Sequence, residues 1–152
     1  LTEDSQTRFI VIGRPDIALL SGADGLHLSR FDITPKDARA LAGDRIMLGL
    51  STHTVEQVGE AQAEPVDYLA FGPVFPSLVR DHEARVTGME ALRAASSLSL
   101  LPVVAFGGIT RERLDDLPGS LCRAVACMSA VVTAREPAGE MRAIHSRIGE
   151  LS

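Results

Sequence analysis

Six short apolar runs, each followed by a polar turn and then a helical pattern, constrain this chain more than any other feature. They fall at residues 9–13, 25–29, 46–51, 68–72, 102–107 and 124–129. Being apolar at nearly every position, they read as parallel strands buried on both faces. The helices between them carry their own punctuation. Thr34-Pro35 places an N-cap before a proline at the first helical position. Thr54-Val55-Glu56-Gln57 has the spacing of a capping box, and Thr110 stands in the same way before Arg111-Glu112-Arg113-Leu114. Gly22, Gly43 and Gly119 sit where helices should stop, and residues 138–150 form a terminal helix with Met141, Ile144 and Ile148 on one face.

Strand followed by helix, repeated six times, predicts an α/β protein with right-handed crossovers. An open Rossmann-type sheet would carry a GxGxxG turn after its first strand, and Gly13-Arg14-Pro15-Asp16 does not supply one. The near-uniform repeat and the glycines and serines at strand ends favour a (β/α)8 barrel, in which those ends converge on one face. Closure needs eight strands, however, so the barrel is expected to lack two βα units. Runs 9–13 and 124–128 should then be unpaired apolar edges, which leave room for a homo-oligomer. The chain opens on Leu1 rather than Met, so the expectation is that further chain before Leu1, or a partner subunit, fills the gap.

Composition closes other routes. The 152 residues suit one domain over 1–152, with 45% hydrophobic and 23% charged residues. A net charge of −5, mixed along the chain, offers no basic patch for nucleic acid. No apolar run approaches the ~20 residues needed to cross a bilayer. Cys122 and Cys127 lack CxxC or zinc-ligand spacing and read as buried core thiols in a reducing, cytoplasmic setting.

Three strand ends carry the candidate chemistry. Gly107 and Gly108 close a buried strand where backbone amides can approach a ligand, and Met128-Ser129 ends the next strand. Together they occupy the positions of the two final loops that build a phosphate site in such barrels. A branched side chain at Gly107 is expected to weaken phosphate binding while the fold largely survives. Ser51 and His53 lie between a strand end and a helix start, where a histidine can exchange protons with a ligand or simply cap the helix. His27 reads as a core histidine, Asp32 as a metal ligand or a loop carboxylate, and His82 as part of a solvated loop.

Four motifs in order then resemble the thiamine-phosphate synthase/TenI family. They are Gly22-Ala23-Asp24-Gly25-Leu26-His27-Leu28, Gly49-Leu50-Ser51-Thr52-His53-Thr54, Asp67 through Pro76, and Pro102 through Ile109. The resemblance implies a (β/α)8 barrel of thiamine biosynthesis whose first two βα units precede run 9–13. Those units carry a basic triplet that binds the diphosphate substrate. The ligand it implies is a small phosphorylated thiazole. Synthases of the family couple a pyrimidine diphosphate to thiazole phosphate with Mg2+, whereas TenI-type members rearrange the thiazole phosphate without a metal. Gly107, Gly108, Met128 and Ser129 match the phosphate loops, and Ser51 matches a serine that contacts pyrophosphate. Asp32 matches one of two magnesium aspartates, while the other falls at Gly13. The pyrophosphate loop reads Ser77-Leu78-Val79-Arg80, in which only Ser77 and Arg80 keep the chemistry. His53 aligns with the tautomerase histidine. On these residues the expected function is a TenI-like thiazole tautomerase needing no cofactor and indifferent to EDTA. The alternatives are a divergent synthase using Mg2+ through Asp32 and a non-catalytic phosphate-binding or regulatory barrel.

Overall fold

The structure is a computed structural model that describes residue 2 and residues 5–76 and 85–151. All six expected strands form: β1 (Ile10–Ile12), β2 (Gly25–Leu28), β3 (Met47–Thr52), β4 (Tyr68–Phe71), β5 (Val103–Phe106) and β6 (Ala124–Ala126). The helices after them are α1 (Pro15–Leu20), α2 (Pro35–Ala42), α3 (Val55–Ala61) and α4 (Gly88–Leu98), then α5 (Ser129–Val132) and α6 (Pro137–Leu151). Between β5 and β6 the segment following Thr110 forms only a 3₁₀ turn, Glu112–Asp116, in place of the expected helix.

Every strand pairs in parallel with the next, in the order β1-β2-β3-β4-β5-β6. A doubly wound sheet reverses its strand order at a switch point. This one never does, so the architecture is the α/β barrel type, with six strands among the described residues and β1 and β6 as its edges.

Side chains on alternate strand positions face the helices. Leu26, Leu28, Leu48, Leu69, Phe71, Val103 and Ala105 are buried there. They meet small or branched helix residues, Ala18, Ala38, Val58, Ala61, Leu92 and Ala95, which let helix backbones approach the sheet closely. The opposite face differs from the sequence expectation of burial on both sides. Ile12 is 72% exposed and Met47 41%, and β1 and β6 contain no buried residue. Among the described residues β1 and β6 do not pair with each other, which leaves inner positions such as Ile12 open. Cys122 and Cys127 are likewise only half-buried, packed beside the core as free thiols rather than inside it.

The rim opposite the site is pinned by charge. Asp24 accepts the amide of Phe9 (2.8 Å) and Asp67 that of Leu48 (2.7 Å), so a carboxylate before one strand holds the chain entering the previous one. Arg39 donates to the carbonyls of Pro65, Gly43 and Ile46 and to Asp67.

Candidate functional site

Parallel pairing places His27, Gly49 and Tyr68 in one layer across β2, β3 and β4. Ser51 lies two residues further along β3, on the same face as Gly49 because side chains alternate. His27 Nε2 is 2.8 Å from Ser51 Oγ, and its Nδ1 is 3.0 Å from the Tyr68 hydroxyl. The two rings stack, 5.5 Å between centroids. Burial pushes the His27 imidazole down from its ordinary pKa, against a smaller opposite pull from Asp32, and burial pushes the Tyr68 phenol up. His27, which the sequence suggests is a core histidine, is therefore tied to Ser51. Only the strand register could have revealed it, since the partners lie 24 and 41 residues away in sequence.

His53 stands where β3 gives way to α3. Its Nδ1 is 2.7 Å from the carbonyl oxygen of Gly72, so that nitrogen carries the hydrogen and donates it. This leaves Nε2 to face outward from the bond. The ring meets Phe106 edge-on at 5.9 Å. Thr54 caps α3 as expected, accepting the Gln57 amide at 3.2 Å. The reciprocal bond is displaced by one residue, because Gln57 Oε1 accepts from the amide of His53 (2.7 Å) rather than from Thr54. The cap thereby fixes the backbone of the candidate histidine.

At the end of β5, Gly107 and Gly108 adopt φ values of +89° and +62°, left-handed backbone that favours glycine. The chain after β4 lies across them. Val74 and Phe75 donate to the carbonyls of Phe106 and Gly107, at 2.8 and 3.1 Å. A Cβ on Gly107 would collide with Cβ and Cα of Pro73, and one on Gly108 would sit 2.5 Å from the Pro76 carbonyl oxygen. A branched side chain at Gly107 must therefore disturb the fold itself, contrary to the expectation from sequence. Among the described residues, the amide N–H groups of Gly107 and Gly108 donate to no acceptor. Arg113, which sequence reasoning missed, straps the junction through the carbonyls of Pro76 (2.9 Å) and Gly108 (2.6 Å). Met128 and Ser129 follow β6 at the start of the short α5, with Met128 largely exposed. Ser77, Arg80 and His82 lie outside the described residues.

Asp32 accepts the amide of Ser29 at 2.7 Å, and its carboxylate faces the Cα of Gly13. A Cβ there would lie 3.1 Å from Asp32 Oδ1, so these two positions do oppose one another as a carboxylate pair would. Here one of the pair is glycine at φ +70°. Among the described residues no group of three His, Cys, Asp or Glu side chains stands together to hold a metal. The residues present thus do not fit a two-carboxylate magnesium site.

Comparison with known proteins adds an independent line. The family model described as thiamine monophosphate synthase matches residues 1–131. The chain is 44% identical over 123 residues to a thiamine-phosphate synthase of Persephonella marina, covering 81% of this chain and 58% of that protein. It is 37% identical over 134 residues to one of Caldicellulosiruptor bescii, covering 88% and 61%. The chain therefore spans about 60% of the length of these curated relatives. A solved thiamine phosphate pyrophosphorylase from Pyrococcus furiosus superposes with a TM-score of 0.88 at 30% identity, over 95% of this chain and 69% of that one.

Proposed function

Because the chain belongs to the thiamine monophosphate synthase family, we propose that the protein joins a pyrimidine carried on a diphosphate to a thiazole phosphate. The products are thiamine phosphate and pyrophosphate. The observation that carries this reading is the 44% and 37% identity to two thiamine-phosphate synthases, over 81% and 88% of this chain. It moves the balance from the tautomerase favoured by the sequence motifs to the synthase alternative.

The chemistry asks the site to hold two anions side by side. The amides of Gly107 and Gly108, with Met128 and Ser129, take the thiazole phosphate. Ser51 donates to the diphosphate, the group to which the family resemblance also assigns Ser77 and Arg80. When the pyrophosphate leaves with the electron pair of its bond, fixed donors aimed at its oxygens lower the barrier more than they lower the ground state.

His53 supports a second reading. With Nδ1 bound to the Gly72 carbonyl, Nε2 is a fixed site for proton exchange, as a thiazole tautomerase requires. One experiment separates the two. The natural full-length protein is incubated with both substrates, with magnesium or with EDTA. Thiamine phosphate and pyrophosphate are expected in equal amounts. His53→Ala should keep thiamine phosphate formation within about tenfold, since it removes no donor to the departing group. Rearrangement of thiazole phosphate that resists EDTA, falls ~10²–10⁴-fold in His53→Ala and yields no thiamine phosphate would establish the tautomerase instead. Binding without turnover would leave a regulatory barrel.

A further inference from the structure

The contacts of His27 carry a directional consequence. A neutral imidazole has one N–H and one lone pair, so a chain running Tyr68–His27–Ser51 has two consistent polarities. In one, Ser51 O–H donates to Nε2 and Nδ1–H donates to the phenol oxygen. The Tyr68 proton is then left without an acceptor inside the sheet, since among the described residues that hydroxyl has no other partner. An unmade bond of this kind carries a cost on a half-buried phenol. In the other polarity, Tyr68 O–H donates to Nδ1 and Nε2–H donates to Ser51 Oγ. Every proton then has an acceptor except that of Ser51, which lies at the open strand end.

Gly49 shows that the arrangement is built rather than incidental. Its missing side chain is the space occupied by the Tyr68 ring, because a Cβ there would overlap Cζ, Oη and Cε1 of that ring. Only with glycine on β3 can a side chain from β4 reach across to His27 on β2.

We propose that His27 and Tyr68 are positioning residues that hold Ser51 as a hydrogen-bond donor to an anionic phosphate oxygen, with the imidazole in its Nε2–H tautomer. This rests on the reading of Ser51 as a diphosphate contact. A serine that accepts the imidazole N–H on one of its two lone pairs is held in place with its proton free of the ring. It offers that proton to the anion, and the same bond strengthens it as a donor.

The test uses the natural full-length protein, with inorganic pyrophosphate as the probe. Long-range proton–nitrogen correlation of the His27 ring should show hydrogen on Nε2 and none on Nδ1. The opposite tautomer, or a doubly protonated ring at neutral pH, overturns the proposal. By calorimetry, Ser51→Ala should weaken pyrophosphate binding about 3–10-fold, the size of one hydrogen bond. Tyr68→Phe should weaken it by a comparable factor with no change in the residues contacting the anion. His27→Leu should do the same, and His27→Gln, which keeps an N–H donor, should recover part of the loss. If Ser51→Ala has no effect, the diphosphate reading of Ser51 is wrong. If Ser51→Ala weakens binding while Tyr68→Phe and His27→Leu do not, Ser51 stands and the positioning role falls.

Discussion

Gly107→Ala offers the sharpest test of how the strand ends are assembled, because two penalties act there and can be separated. The first is conformational, since φ is +89° at this residue and a left-handed backbone costs an L-residue roughly 1–2 kcal/mol. The second is steric. The new methyl would run into Cβ and Cα of Pro73, backbone that is itself anchored by two bonds from Thr87 to the Pro73 carbonyl. Forcing extra volume into a packed site costs about 1–3 kcal/mol. The sum is about 2–5 kcal/mol, and for a protein of this size each kcal/mol lowers Tm by roughly 2–4 °C. Gly119→Ala is the control. Its φ is +78°, yet nothing lies within 4 Å of its Cβ position, so it bears only the conformational penalty. Thermal melts followed by circular dichroism should therefore rank the natural protein above Gly119→Ala, and Gly119→Ala above Gly107→Ala. Equal melting temperatures for the two variants would mean that the chain after β4 does not press on Gly107, and the packing described for the Gly107-Gly108 turn would be wrong.

Arg39→Ala should cost about 2–4 kcal/mol by urea unfolding, because a side chain only 17% exposed leaves three carbonyls without this donor and Asp67 with the Leu48 amide but no guanidinium. A change below about 0.5 kcal/mol would reduce that cluster to surface decoration. Asp24 is held below the ordinary carboxylate range, first by the Phe9 amide and then by Arg8. A group depressed in the folded state adds stability above its unfolded pKa and loses it as pH falls through the folded one. Acid unfolding of Asp24→Asn should accordingly show a shallower loss of stability on acidification than the natural protein, and parallel curves would refute the linkage.

Much of this protein follows from local chemistry along the chain. The six apolar runs become six strands, and Thr34 caps α2 by accepting the Asp37 amide at 3.1 Å, because backbone sterics and capping act over a few residues. The glycines that end segments, Gly43 at φ +68° among them, are legible for the same reason. Local pattern also favoured a barrel over a doubly wound sheet, and the unreversed strand order agrees. What local pattern missed depends on register. Ser51 and His53 are adjacent to a turn and could be picked out as strand-end residues, but nothing near His27 in sequence distinguishes a core histidine from one bonded to Ser51. Gly107 and Gly108 look like a ligand cradle by themselves, and only the tertiary structure reveals that residues 73–76 lie against them. Gln57 fits a capping box by spacing, yet its carbonyl bonds to His53 because the folded turn brings that amide nearer. Sequence encodes periodicity and caps within a turn or two of chain. Contacts between residues 24 to 41 positions apart exist only once parallel pairing has aligned β2, β3 and β4 in one layer.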